Sequence, residues 1–415
     1  MKKHYLLVLL ILALLKSQAQ YTWLNKDTFP GLARAAAAGF SINGAGYIVG
    51  GIEEASNAAL SEVWSYNPVS DSWIQKNSYP NNADGAALMS IGDSIYVCGG
   101  ALGTGTNSSA TYLYNPATDS WAAKANFPEN GVSGAFHFAI NGIGFVGTGE
   151  RNGSNTSTSV YSYNPTTDSW NSAAAYPGNG VVCAAGFAID SLGYAGLGTD
   201  GNNNFFNSFY KYSPSSNTWT AIARFPGEPR SCPLVFVLNG KAYVGGGLTS
   251  VPGNSSVDYE LGDFFEYDPS TDTWAWVPGL PTRGKHYAST FAINGSGYVV
   301  CGQDNYIGAD VTTVSEFGTC SEITGITPLP GGNSKSGIEI YPNPSTNDVN
   351  VKISGEVNSA VKYEVVSVDG KLIKSGTTQQ NTFRFSADNL SDGIYILTLT
   401  DNEGIHGEQR FEVIH

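Results

Sequence analysis

Basic residues recur at one place in the pattern of this sequence. Arg34, Arg230 and Lys285 each stand eight positions before an apolar residue of a recurring segment. Cations at equivalent places could together hold carboxylates or sugar hydroxyls. Anchoring of loops by ion pairs is the competing interpretation, which we favour because surface arginines commonly serve that role. Other ionisable side chains lie close to these cations: Glu228, Arg283 and His286.

An insertion supplies a second set of candidate residues. The span from a recurring glycine position to a recurring tyrosine is 14 or 15 residues in four copies and 21 residues before Tyr267. The extra residues fall within Val251 to Phe264 and include Asp258, Tyr259 and Glu260. Because binding residues concentrate on variable loops, we predict that this insertion takes part in ligand binding.

Catalytic and metal-ligating patterns are scarce. Between residues 21 and 320 the only histidines are His137 and His286, in different copies of the repeat, and a single histidine is more often packed than a ligand. No G-x-S-x-G, H-E-x-x-H, phosphate-loop or calcium-loop pattern occurs. The sequence therefore predicts no metal and no cofactor, and it identifies no catalytic residue.

The five cysteines form no C-x-x-C pair. Cys183 and Cys232 are predicted to occupy equivalent places in successive repeats, as are Cys98 and Cys301, which favours small buried core residues over disulfide bridges. Cys320 ends the repeat region with no assigned partner.

These residues must be positioned by a repeated unit. Tyr163-Asn164-Pro165-Thr166-Thr167-Asp168-Ser169-Trp170 has close copies, and tryptophans at 23, 73, 121, 170, 219 and 274 are separated by 50, 48, 49, 49 and 55 residues. Proline ends strand pairing, Ser, Thr and Asp favour a tight turn, and tryptophan opens a new strand. A period of this size indicates a repeat architecture.

Each tyrosine turn follows an apolar hairpin with Asn-Gly or a related pair at its tip, as in Phe40 to Gly51. Hairpin and turn together predict four antiparallel strands per unit. Six hairpins occur, but the last lacks its tryptophan strand, which Tyr21-Thr22-Trp23 can supply from the other end of the chain. Such pairing would close a ring and remove its exposed seam.

The glycine doublets Gly50-Gly51, Gly99-Gly100 and Gly245-Gly246, each followed by the tyrosine and tryptophan, resemble the kelch-repeat family. This resemblance implies an all-β, six-bladed kelch-type β-propeller closed by the N-terminal strand over residues 21–320. Variable loops would then share one face, with Arg34, Arg230, Arg283 and Lys285 near its axial mouth. Pro-x-x-Arg at Arg34, Arg230 and Arg283 resembles the start of many kelch blades, where arginine knits blades together.

Resemblance to known kelch enzymes gives a competing function. A galactose-oxidase-like copper site would need two histidines on one side of the ring, whereas His137 and His286 are expected on opposite sides. Sialic-acid mutarotation, another kelch activity, would use a Glu or Arg pocket, for which Glu228 and Arg230 are the candidates. The alternative to a binding module is therefore a mutarotase-like or oxidase-like carbohydrate-active enzyme at the axial mouth.

Both ends of the chain indicate export. Residues 1–20 combine a basic start, an apolar run and small residues, as in a signal peptide that is too short to span a bilayer. Residues 321–336 form a predicted linker rich in Gly, Pro, Ser and Thr, and residues 337–415 predict a small β-sandwich. A carbohydrate-binding or fibronectin-like accessory domain remains the alternative interpretation of this C-terminal segment.

The tail resembles the type A C-terminal sorting domain of the type IX secretion system. The matching segments are Tyr341-Pro342-Asn343-Pro344, Val368-Asp369-Gly370-Lys371, Leu390-Ser391-Asp392-Gly393-Ile394-Tyr395 and the final strand. This resemblance implies contact with the secretion machinery and a secreted or outer-surface location in a Gram-negative bacterium.

The net charge of the chain limits the classes of partner that are expected. Lys plus Arg total 21 against 35 Asp plus Glu, a net charge of −14, so a nucleic-acid partner is not expected. No apolar segment after residue 20 is long enough to cross a bilayer. We therefore predict an exported propeller that binds a protein or glycan through its variable-loop face.

Overall fold

The computed structural model describes residues 21–53, 55–153, 156–202, 204–251, 254–281, 284–304, 309–319, 338–341, 348–353, 360–367, 372–391, 393–401 and 404–413. It divides the chain into two compact units, Met1–Gly325 and Ile326–His415. The predicted signal peptide and linker lie outside the described residues, as do Arg283 and Cys320.

The first unit is built from six four-stranded antiparallel sheets, called blades one to six here. Strand β1 (Tyr21–Lys26) belongs to blade six. Blade one contains β2 (Ala38–Ile42), β3 (Ala45–Val49), β6 (Val63–Asn67) and β7 (Ser72–Lys76), with a small hairpin of β4 (Ile52–Glu53) and β5 (Ala58–Ala59). Blade two contains β8 (Ala87–Ile91), β9 (Ser94–Cys98), β10 (Thr111–Asn115) and β11 (Ser120–Lys124). Blade three contains β12 (Phe136–Ile140), β13 (Ile143–Gly147), β14 (Val160–Asn164) and β15 (Ser169–Ala173).

The remaining blades follow the same plan. Blade four contains β16 (Ala185–Ile189), β17 (Leu192–Gly196), β18 (Phe209–Ser213) and β19 (Thr218–Ala221). Blade five contains β20 (Leu234–Leu238), β21 (Lys241–Gly245), β24 (Phe264–Asp268) and β25 (Thr273–Val277), with a hairpin of β22 (Leu248–Val251) and β23 (Asn254–Glu260). Blade six contains β26 (Ser289–Ile293), β27 (Ser296–Val300), β30 (Val314–Thr319) and β1, with a small hairpin of β28 (Gln303–Asp304) and β29 (Ala309–Asp310).

The innermost strands contact one another in a cycle, from β2 through β8, β12, β16, β20 and β26 back to β2. Blade six is completed from the other end of the chain, because β1 pairs with β30 and places Trp23 opposite Phe317. The predicted all-β class is confirmed in this unit.

Each tyrosine turn also fastens one blade to the preceding one. The hydroxyl of buried Tyr163 donates to Oδ1 of Asp168 at 2.7 Å, and the same oxygen accepts the Ala125 amide at 2.9 Å. Trp170 Nε1 donates to the Ala125 carbonyl at 2.9 Å. Asp168 has a φ of 47°, a conformation that Asp and Asn adopt more readily than most residues. Blades one, two, four and five repeat the Tyr-to-carboxylate or Tyr-to-amide bond.

The second unit consists of two antiparallel sheets. Its strands are β31 (Ile338–Tyr341), β32 (Asp348–Ile353), β33 (Val361–Ser367), β34 (Leu372–Thr378), β35 (Thr382–Ser386), β36 (Gly393–Asp401) and β37 (Gly404–Val413). One sheet has the order β31-β32-β35 and the other has the order β34-β33-β36-β37. A core that includes Val351, Phe385, Leu397 and Phe411 contains residues from both sheets.

Candidate functional site

Three of the predicted cations, Arg230, Arg34 and Lys285, are buried beneath the loop face. Arg230 is 0% exposed and donates from Nε to the Glu228 carbonyl at 3.0 Å and from Nη1 to the Gly246 carbonyl at 2.9 Å. Nη1 and Nη2 bind the two carboxylate oxygens of Asp263 at 2.5 and 2.9 Å, and the guanidinium carbon lies 4.7 Å from the centre of the Phe225 ring. Arg230 therefore holds together the segments before β20, after β21 and before β24.

Arg34 makes the corresponding contacts in blade one. It is 0% exposed, donates to the carbonyls of Leu32 and Gly50 at 3.0 and 3.1 Å, and pairs with Glu62. Burial acts to raise the pKa of Glu62, but the hydrogen bond from Arg34 opposes it and the pKa is lowered. The contacts of Arg34 support the structural interpretation of its role.

Blade three builds the same arrangement from a residue that sequence reasoning missed. Arg151 donates to the Thr148 carbonyl at 2.6 Å, pairs with Glu129 and lies over the Phe127 ring. Its side chain comes from the loop after β13, whereas Arg34 and Arg230 precede the first strand of their blades. A recurring Phe-Pro with a nearby acidic residue, here Phe127, Pro128 and Glu129, was the available sequence signal.

Lys285 takes the equivalent position in blade six. It is 1% exposed and donates to Thr313 Oγ1 at 2.5 Å, where blade one has Glu62. Burial lowers the pKa of Lys285 to about 8. This amine is held inside the loop face rather than presented on a rim.

The blade-five insertion forms the hairpin β22–β23, and two adjacent residues of β23 connect it to the segments that precede β20 and β26. The Tyr259 hydroxyl donates to Oε2 of Glu228, and Oε1 of Glu260 lies 3.3 Å from Nδ1 of His286. Burial lowers the pKa of His286 to about 4, so its ring is neutral at pH 7. Asp258 is described only by its backbone, which is paired with Ser250, and Arg283 lies outside the described residues.

A cavity of about 470 Å³ opens on the loop face beside this hairpin. Its walls come from the link into blade four, the second-to-third loops of blades four and five, and the link between those blades. Glu228 is its one charged lining residue among those described. The full lining is Asn179, Asn204, Phe205, Phe206, Glu228, Pro229, Thr249 and Ser250.

A second cavity, of about 500 Å³, follows the axis of the ring. The innermost strands line it mainly with small and apolar residues, and Ser41, Ser90 and Thr290 add hydroxyls. His137 also lines it, with Nδ1 at 3.3 Å from the Ala135 carbonyl oxygen and a pKa lowered by burial. Among the described residues, the lining of this axial channel includes no carboxylate and no guanidinium.

Six residues, one from each blade, together surround the channel on the loop-face side. These six residues, called the mouth ring here, all have φ between 50° and 58°. Five backbone hydrogen bonds of 2.7 to 2.9 Å join neighbouring members, each from the amide of one member to the carbonyl of the preceding member. The mouth ring comprises Ala36, Gly85, Gly134, Cys183, Cys232 and Tyr287.

The predicted sites are thus brought together only in part. Glu228, Arg230 and Tyr259 meet beside the loop-face cavity, while Glu260, the next residue of β23, contacts His286 in the segment before β26. Arg34 lies in blade one, apart from both groups. Within the described part of the chain, no group of three His, Cys, Asp or Glu side chains is placed to hold a metal ion.

Comparison with known proteins supports the architecture. Kelch motifs match residues 33–78, 84–128 and 198–226, and a secretion system C-terminal sorting domain matches residues 339–411. A solved structure titled "Structure of YjhT" aligns with a TM-score of 0.59 and 17% identity, covering 70% of this chain and 95% of that one. The search of curated proteins found no match.

The propeller carries kelch motifs, and the sorting domain indicates export by the type IX secretion system to the cell surface or beyond. In the described residues, no helix has the length and apolarity needed to cross a membrane.

Proposed function

We propose that this protein is an exported binding module that holds a neutral glycan in the loop-face cavity between blades four and five. The carrying observation is that the half-exposed Phe205 lines the same cavity as Glu228. The described residues give Phe205 no aromatic partner. Its accessible ring is therefore available for stacking.

The lining suits the two kinds of surface that a sugar presents. The apolar face of a pyranose packs on an aromatic ring, and its hydroxyls need donors and acceptors in fixed places. Asn179 and Asn204 bring amides, and Ser250 brings a hydroxyl. Asn204 Nδ2 donates to Asp200 Oδ2 at 2.9 Å, which orients that amide.

Charge selects the class of glycan. With Glu228 as the one charged lining residue described and a net charge of −14 on the chain, the local potential disfavours sialic acids, uronic acids and phosphorylated sugars. A carboxylate accepts two hydroxyl donors well, which suits neighbouring hydroxyls of a neutral hexose. We therefore expect neutral glycans to bind and acidic glycans to be rejected.

Preorganisation supports the same cavity. Arg230 holds the Glu228 backbone, and the Tyr259 hydroxyl holds its carboxylate. A carboxylate fixed before binding loses less side-chain entropy when the ligand arrives, which favours affinity. Arg230 and Tyr259 act here as positioning residues, and the Glu260–His286 contact brings β23 against the segment before β26.

An enzyme at the axial mouth is the competing proposal. Its candidate residues, Glu228 and Arg230, are not among the described residues that line the axial channel. The histidine in that lining is His137, whose pKa is lowered by burial so that its ring is neutral. These placements favour binding over mutarotation. A protein partner on the loop face is the other possible ligand class.

A glycan array probed with the mature chain, residues 21–415, tests the proposal. We expect neutral glycans to bind, with at least a tenfold loss in Phe205→Ala and a smaller loss in Glu228→Gln. Val69→Ser is the matched control, because Val69 is 90% exposed in a tyrosine turn, on the opposite face. Absence of glycan binding by folded protein would refute the glycan proposal and direct attention to protein partners.

A further inference from the structure

Two thiols meet at the axial mouth. Cys183 and Cys232 are consecutive members of the mouth ring, contributed by blades four and five, and both line the channel. The Cys183 sulfur lies 3.8 Å from the Tyr287 hydroxyl oxygen. The Cys232 thiol also interacts with that hydroxyl, so both sulfurs approach the same phenol.

The backbone places the two cysteines within reach of a disulfide. The Cys232 amide donates to the Cys183 carbonyl at 2.8 Å. Adding the N–Cα and Cα-to-O spans to that distance limits the separation of the two Cα atoms to at most about 6.7 Å. Disulfides span about 4.4 to 6.8 Å between Cα atoms.

Cys183 has the properties of an attacking thiol. It is half-buried and faces the channel, and a hydrogen bond with Cys232 lowers the pKa of its thiol. Cys232 is 8% exposed, and burial raises its thiol pKa. Cys98 and Cys301 contrast with this pair, since both are buried at 0% and 1% exposure with thiol pKa values raised to about 12.

We propose that Cys183 and Cys232 form a reversible disulfide across the mouth ring by exchange with an external disulfide. The Cys183 thiolate attacks one sulfur of that donor, forming a mixed disulfide and releasing one donor thiol. Cys232, after losing its proton to solvent, attacks the Cys183 sulfur and releases the second donor thiol. Two protein thiols are oxidised and one donor disulfide is reduced to two thiols.

The bond would join blades four and five covalently at the point where the ring surrounds the channel. Export through the periplasm supplies an oxidising compartment that contains thiol-oxidising disulfides. Because the bond faces the channel, small reductants can reach it, unlike a disulfide in a closed core. This inference is independent of glycan binding.

The test uses the mature chain with Cys320→Ser, reduced, desalted and treated with oxidised glutathione in native buffer. We expect intact-mass loss of two hydrogens and a crosslinked peptide pair containing Cys183 and Cys232, reversed by dithiothreitol. The Cys232→Ser variant should stop at a glutathione adduct on Cys183, whereas Cys183→Ser should react at least tenfold more slowly. Cys301→Ala is the control that leaves the crosslink unchanged.

Folded protein in which both thiols stay separately alkylatable after oxidation would overturn the disulfide. Equal rates in the two serine variants would overturn Cys183 as the attacking thiol. The mass measurement on the Cys320→Ser chain needs no substitution in the mouth ring, so misfolding of a mouth-ring variant cannot hide a negative result.

Discussion

Asp168→Ala tests how the repeated turn fastens neighbouring blades. Asp168 accepts the buried Tyr163 hydroxyl at 2.7 Å and the Ala125 amide at 2.9 Å, and its φ is 47°. Each lost hydrogen bond costs about 1 kcal/mol, with somewhat more where the donor stays buried. Alanine at positive φ adds about 1 kcal/mol, because its Cβ approaches the following carbonyl oxygen. The unfolding free energy should fall by about 3 kcal/mol, the sum of these costs.

The chain contains its own control for this substitution. Blade four has Asn217 at the equivalent place, where it accepts the Tyr212 hydroxyl at 2.7 Å and the Ala174 amide at 2.8 Å. Asp168→Asn should therefore cost less than about 1 kcal/mol, since both acceptor bonds and the backbone conformation are retained. Asp168→Gly keeps the backbone conformation and loses the acceptor, so it should cost about 2 kcal/mol.

Urea unfolding of residues 21–415, followed by tryptophan fluorescence, measures these differences. The slope must be unchanged among variants for the comparison of free energies to hold. Asp168→Ala within about 0.5 kcal/mol of the wild type, or Asp168→Asn as damaging as Asp168→Ala, would refute the reasoning, because surface substitutions without such contacts stay in that range.

Three further predictions concern buried ionisable groups. Arg230→Met should lower the unfolding free energy by about 3 kcal/mol, because it leaves the Asp263 carboxylate and the Glu228 and Gly246 carbonyls without their donor. An unchanged urea midpoint would contradict this prediction. Lys285→Met should leave the unfolding free energy unchanged or raise it, since a buried amine with a pKa of about 8 is replaced by an apolar side chain of similar length. A loss of unfolding free energy comparable to that of Arg230→Met would contradict this prediction. The unfolding free energy should fall as the pH drops from 6.5 towards 4, because the pKa of His286 is about 4 in the folded chain and 6.5 ordinarily, so the unfolded chain binds the proton first. His286→Gln should flatten that part of the pH profile. An unaltered profile would exclude His286 as a cause.

The repeated sheets were predictable because their signals are local. Asn-Gly hairpin tips need positive φ, and Asn43 and Gly44 adopt 52° and 75°. The tyrosine turns place proline, Asp or Asn, and Trp at constant offsets, and the sheets follow at each copy. The missing outer strand of blade six was found by counting units, and β1 pairs there.

The cation positions were predictable only in part, because one spatial position can be reached from different places in the chain. Arg151 enters from the loop after β13, so searching before the first strand of a blade could not find it. The loop-face cavity is harder to predict, because Asn179, Phe205 and Ser250 come from three loops without a shared period.

The predicted equivalence of cysteine positions was correct for Cys183 and Cys232 and wrong for Cys98 and Cys301. Cys183 and Cys232 do share the mouth-ring position, but Cys183 is half-buried beside the channel rather than a core residue. Cys98 and Cys301 differ by one register position: Cys98 ends β9, whereas Cys301 follows β27 with a φ of 61°. Cys301 therefore occupies the place that Gly50 holds in blade one, although both cysteines are buried as predicted.

The most direct measurement of the central claim is a crystal structure of residues 21–415 soaked with the neutral glycan that binds most strongly on the array. The account predicts a sugar ring stacked on Phe205, with two hydroxyls donating to the Glu228 carboxylate. Sugar density in the axial channel or on the opposite face, with the loop-face cavity empty, would contradict it.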